Sequence, residues 1–205
     1  SVSDGTESSE QMEIVYIGNA GPQISSLAIA PSLPHLGDNL SCIATVVEPD
    51  LQSYTESYTW SNETTGVLLG VGSTLSLDSS TASPLEEIGC SLLVTDSSGS
   101  SVSQLATVEV RNLGPSIDSL SLDQGSLSIN DTITCLAVVS DPEGEIPTLD
   151  YLWTNLTSGA SLGTSASLSL TQGMATGFDQ LECSVTATDS YGDSDTESVS
   201  IIVQP

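Results

Sequence analysis

Hydrophobic and polar positions alternate along this chain in short runs, and the runs occur twice in the same order. Leu40, Cys42, Ala44 and Val46 fall on one side of a two-residue period, and Ile133, Cys135, Ala137 and Val139 repeat them. Ile88, Cys90, Leu92 and Val94 form a second such set, matched by Leu181, Cys183, Val185 and Ala187. Period-two alternation marks a strand with one buried face. Further strand-like segments are Ile24 to Ala30, Ser57 to Trp60, Leu75 to Leu77 and Thr107 to Val110. Their counterparts are Ile117 to Leu122, Asp150 to Trp153, Leu168 to Leu170 and Ser200 to Val203. No segment carries a helical period. About seven short strands per repeat, separated by turns, predict an all-β antiparallel sandwich.

The repeat has a fixed period. Cys42, Trp60 and Cys90 recur as Cys135, Trp153 and Cys183, each 93 residues on. A period of this size predicts tandem modules, here 19–111 and 112–205. Residues 1–18 read like the end of a module rather than its start: Met12 to Ile17 runs into Asn19 and Pro22 as Thr107 to Val110 runs into Asn112 and Pro115. We therefore expect the segment to be the terminal strand of a preceding module, with donation to a neighbouring subunit's sheet as the alternative. Ile14 and Tyr16 would lie on one face of that strand and Val15 and Ile17 on the other, so it should be paired rather than free in water.

Composition narrows the setting. The chain has 27 acidic residues against one basic one, a formal charge of −26. Nucleic acid and anionic membrane surfaces need clustered Lys and Arg, so neither is an expected partner. No apolar run approaches the roughly 20 residues of a membrane helix, so direct membrane insertion is not expected either. Four cysteines allow three pairings. Repeat symmetry favours Cys42–Cys90 and Cys135–Cys183, the alternative being four reduced core thiols. Two internal disulfides would place the chain in an oxidising compartment, at the cell surface or outside the cell.

The order Cys…Trp…Cys on the second, third and penultimate strands resembles an immunoglobulin-like sandwich. The resemblance implies one intersheet disulfide per module with Trp60 or Trp153 packed against it. The tandem order, the Gly-Pro linkers at Gly21-Pro22 and Gly114-Pro115, and the turn Asp141-Pro142-Glu143-Gly144-Glu145 are similar to immunoglobulin-like or PKD-like repeats of large microbial surface proteins. In a sandwich of this type the loops after the two Cys strands lie at the same end of the domain. That end would gather Asp141, Glu143, Glu145, Asp189 and Asn112 in the second module. In the first it would gather Glu48, Asp50 and Asp96 near Asn19, with Gln52 where Glu145 would fall. Calcium takes six to eight oxygen ligands and is the cofactor such a set would hold, most readily in the second module. The same residues also read as solvated turns, because Asp, Pro and Gly form turns in any protein.

Four Asn-x-Ser/Thr sequons, at Asn39, Asn62, Asn130 and Asn155, are candidate glycosylation sites in expected surface turns. Catalysis has few parts to draw on. His35 is the sole histidine and there is no lysine, so nucleophile–base and Schiff-base schemes lack components. The expected function is therefore that of a structural repeat unit in an extracellular filament or cell-surface rod, a spacer or assembly unit whose partners are neighbouring modules or copies of itself. The alternative is an adhesin or receptor-type module that binds protein or glycan through its loops. Gly173 to Phe178 differs most between the repeats, and Met174 and Phe178 there read either as a small sticky spot or as caps on the core.

Overall fold

A computed structural model describes residues 18–205, so the expected pairing strand with Ile14, Val15, Tyr16 and Ile17 lies outside the described residues. Among the described residues every regular element is a β-strand, and no helix is long and apolar enough to cross a membrane. The first set is β1 (Gln23–Ala30), β2 (Asn39–Val47), β3 (Tyr54–Asn62), β4 (Val67–Val71), β5 (Thr74–Ser76), β6 (Glu87–Asp96) and β7 (Ser101–Glu109). These form a three-stranded sheet in the order β1-β2-β5 and a four-stranded sheet in the order β4-β3-β6-β7. The second set is β8 (Ser116–Leu122), β9 (Thr132–Ser140), β10 (Thr148–Asn155), β11 (Ala160–Gly163), β12 (Ser167–Ser169), β13 (Gln180–Thr188) and β14 (Ser194–Ile202). It repeats the arrangement, β8-β9-β12 and β11-β10-β13-β14. By spatial proximity the chain divides into two compact units, and the turns Leu33–Asp38 and Ser76–Glu86 group with the second.

Each pair of sheets encloses a core built on the two alternating Cys strands. Ile88, Cys90, Leu92 and Val94 on β6 are all buried, as are Leu181, Cys183, Val185 and Ala187 on β13. The disulfide Cys42–Cys90 joins β2 to β6, and Cys135–Cys183 joins β9 to β13, so each ties one sheet of its sandwich to the other. Trp60 lies opposite Cys90 in the strand register and Trp153 lies opposite Cys183. Both indoles are fully buried, and their one polar group is satisfied: Nε1 donates to the Gly72 carbonyl at 2.8 Å and to the Ser165 carbonyl at 3.0 Å. The chain is a tandem pair of immunoglobulin-like sandwiches, and no thiol is free.

Two strands escape the alternation pattern. β4 and β11 are the outer strands of the four-stranded sheets, and β4 leaves Val67, Leu68 and Val71 exposed. An edge strand with little buried face has no reason to alternate, so its sequence gives a weak signal.

Register sets the geometry of one end of each module. Thr148 at the start of β10 pairs with Thr188 at the end of β13, which brings the turn 141–147 beside the turn that begins at Asp189. Tyr54 and Asp96 make the same juxtaposition in the first module.

Candidate metal centre

The second module gathers its acids in two turns. In the first, the Gly144 amide donates to the Asp141 carbonyl at 3.0 Å, with Gly144 in the left-handed region at φ 83°. The Glu143 amide donates to Asp141 Oδ1 at 2.9 Å. In the second, Asp189 Oδ1 accepts from the amides of Tyr191, Gly192 and Asp193 at 2.9, 2.7 and 2.9 Å. Burial works to raise the Asp189 carboxyl, but the Asn112 amide and these backbone donors outweigh it and hold the pKa below the usual value. Asn112 Nδ2 donates to Asp189 Oδ2 and to Asp193 Oδ2, both at 2.8 Å. Ser190 Oγ donates to Glu145 Oε1 at 2.7 Å. As a result, one carboxylate oxygen from each of Asp141, Glu145 and Asp189 lies within 4.8 Å of the others. The Glu143 carboxyl is pushed up by burial and then by the charge of Asp141.

Three side-chain oxygens of this group are shielded from solvent and accept no hydrogen bond: Asn112 Oδ1, Asp141 Oδ2 and Glu143 Oε2. The Asn112 orientation is dictated by its surroundings. Turning the amide over would point its oxygen at the two carboxylates that Nδ2 now serves.

The first module has the same frame with a different filling. Asn19 Nδ2 donates to Asp96 Oδ2 and Ser100 Oγ, both at 2.8 Å. The Asn19 amide is the main cause of the lowered pKa of Asp96. Here, however, Gln52 Nε2 donates to Asn19 Oδ1 at 2.8 Å, and Gln52 Oε1 accepts from Ser97 Oγ and Ser98 Oγ, each at 2.9 Å. The Ala20 amide donates to Asp50 Oδ2 at 2.7 Å, and the Asp50 amide donates to Glu48 Oε1. One shielded oxygen, Glu48 Oε2, is left without a donor. The period alone marks Gln52 as the counterpart of Glu145, but its role as a donor inside the cluster is visible only in three dimensions. Asp193 went unsingled in the sequence although the same shift from Ser100 leads to it.

The sequons separate into two pairs. Asn39 and Asn130 are exposed, whereas Asn62 is 3 % and Asn155 1 % exposed. The expectation that all four sit in surface turns is corrected for these two. Asn62 Oδ1 accepts from the amides of Thr64 and Thr65, and Asn155 Oδ1 accepts from those of Thr157 and Ser158. Asn155 Nδ2 also donates to Asp179 Oδ2 and the Met174 carbonyl. These side chains tie the turn after the Trp strand to the protein, and a glycan on Nδ2 of Asn155 would displace both of those bonds. Met174 packs partly buried against the core, while Phe178 is 75 % exposed, so only Met174 caps the core. His35 is half-buried in its turn, with Nδ1 3.9 Å from Asp38 Oδ2.

No protein-family model matches the chain, and no curated protein matches it in sequence. Among solved structures, the three N-terminal domains of the Highly Immunogenic Outer Capsid protein of bacteriophage RB49 are similar at 15 % identity and TM-score 0.32, over 88 % of this chain and 59 % of that one. A 1.5-MDa bacterial ice-binding adhesin is similar at 17 % identity and TM-score 0.37, over 91 % and 66 %. The adhesin InvE of Yersinia pseudotuberculosis is similar at 15 % identity and TM-score 0.34, over 87 % and 60 %. This chain spans less than two thirds of each of them. Likeness at this level carries no function across.

Proposed function

We propose that the chain is a structural module of an extracellular or cell-surface assembly, acting as a spacer and assembly unit rather than a catalyst. The observation that carries this reading is the repetition of one disulfide-closed sandwich. Trp60 faces Cys90 as Trp153 faces Cys183, and each module closes its own disulfide between its own two sheets. Repetition of a whole stapled unit suits a rod or filament whose partners are neighbouring modules or further copies. The two disulfides and the formal charge of −26 fit an oxidising setting in which high solubility matters.

One observation favours a second reading, a binding module that recognises protein or glycan through its loops. Phe178 stands 75 % exposed where the first repeat has Leu85. Electron microscopy of native material separates the two. An ordered polymer with a regular subunit repeat is the expected result; isolated monomers that engage a partner through the Phe178 turn would replace the first reading with the second.

A further inference from the structure

We propose that the second module binds one calcium ion through Asn112, Asp141, Glu143, Glu145 and Asp189, and that the Gln52 amide takes the place of such an ion in the first module. The inference holds whether the chain serves as spacer or binder. It stands on two independent observations. One is geometric. Calcium–oxygen distances are about 2.3–2.6 Å, so two oxygens on one ion lie at most about 5 Å apart. One oxygen from each of Asp141, Glu145 and Asp189 meets that limit, all lying within 4.8 Å of one another.

The other observation is the set of shielded oxygens with no donor. Buried polar atoms are nearly always paired, because an unmet lone pair away from water costs about 1–3 kcal/mol. Asn112 Oδ1, Asp141 Oδ2 and Glu143 Oε2 are three such atoms in residues bonded to one another or to the triad: Asn112 to Asp189, and Glu143 to Asp141. Both N–H groups of the Asn112 amide are already donated, to Asp189 and Asp193, so it has none left for these oxygens. A cation held among them would meet all three lone pairs at once.

The first module provides an internal control. Where Glu145 stands in the second repeat, Gln52 supplies an N–H to Asn19 Oδ1, the equivalent of the unmet Asn112 Oδ1. Replacing that amide by a carboxylate removes the donor and adds a negative charge at the same point. One unpaired oxygen remains in the first module, on Glu48, which does not make a coordination sphere.

The donor set selects the ion. It is all oxygen, with four carboxylates and one carboxamide, and it contains neither His nor Cys, so it suits a hard cation. Ligands drawn from two turns and the chain entering the module suit the irregular, high-coordination shell of calcium better than the strict octahedron of magnesium.

The test uses the full chain, freed of metal with a chelator and desalted, in about 150 mM NaCl to screen diffuse attraction by the acidic surface. Isothermal titration with calcium chloride should give one equivalent per chain, with a dissociation constant no weaker than the roughly 0.1–1 mM of extracellular modules. Glu145→Gln, which installs the first module's residue, should weaken binding about tenfold or more while leaving the far-UV circular dichroism unchanged. At saturating calcium the upper or lower thermal midpoint assigned to the second module should rise by about 5 °C or more in the parent chain, and not in the variant. Absence of binding at about 10 mM calcium overturns the proposal. So does binding that Glu145→Gln leaves intact, and two equivalents per chain would overturn the asymmetry between the modules.

Discussion

At the scale of single residues, the equivalent turns of the two modules solve one backbone problem with different side chains. The turn after the first Cys strand places its fourth residue in the left-handed region: Gly144 at φ 83° in the second module and Leu51 at φ 58° in the first. An L-residue with a Cβ pays roughly 1–2 kcal/mol for that conformation, and Leu51 recovers little by packing because it is 92 % exposed. Leu51→Gly removes the steric cost but gives back part of it as unfolded-chain entropy. The expected net gain for the first module is about 0.5–1 kcal/mol in urea unfolding; a loss of stability would mean that Leu51 makes contacts that outweigh its backbone strain. Asn62 and Asn155 make the complementary point. A sequon is a pattern of three residue types, whereas access to Nδ2 depends on where the turn folds, and here it folds inward.

At the scale of elements, the paired Cys strands and the Trp strand hold each sandwich together. Each disulfide closes a loop with a sequence separation of 48. On the chain-entropy estimate such a crosslink stabilises its module by about 4 kcal/mol. Replacing Cys42 and Cys90 by serine together should therefore lower the first module's unfolding free energy by about 4 kcal/mol and leave the second module's transition in place. Loss of both transitions at once would show that the two modules do not unfold independently. The six strands that alternate or carry the Cys and Trp residues were legible in each repeat because one of their faces is buried. β4 and β11 were not: β4 is an edge strand whose Val67, Leu68 and Val71 are exposed, and β11 is a four-residue edge strand too short to show a period.

At the scale of the whole molecule, charge dominates. With a formal charge of −26 and one basic side chain, attraction between unlike charges contributes almost nothing; the lone Arg111 lies 3.9 Å from Glu109 at the exposed surface. Self-repulsion is then the main long-range electrostatic effect, and salt weakens it. In the presence of chelator, raising sodium chloride from about 20 mM to about 500 mM should increase the thermal midpoints by several degrees. A flat response would mean that the folded and unfolded chains repel themselves equally. The same repulsion explains why a bound divalent ion would matter where two adjacent turns bring together Asp141, Glu143, Glu145 and Asp189.

The sequence by itself determined the repeat, the strands with one buried face, the disulfide pairing by symmetry and the end of each module at which the acids collect. The first three follow from period and residue type, which are properties of the line of the chain; the last follows from the resemblance to an immunoglobulin-like sandwich. The tertiary structure decided what a list of residue types cannot contain: the direction of each hydrogen bond. It placed the Gln52 amide on Asn19 while leaving Asn112 without a donor, and it turned Asn62 and Asn155 inward as turn anchors. Two similar frames thus part where Gln52 stands in one and Glu145 in the other, and whether a lone pair is met there depends on what stands opposite it in space.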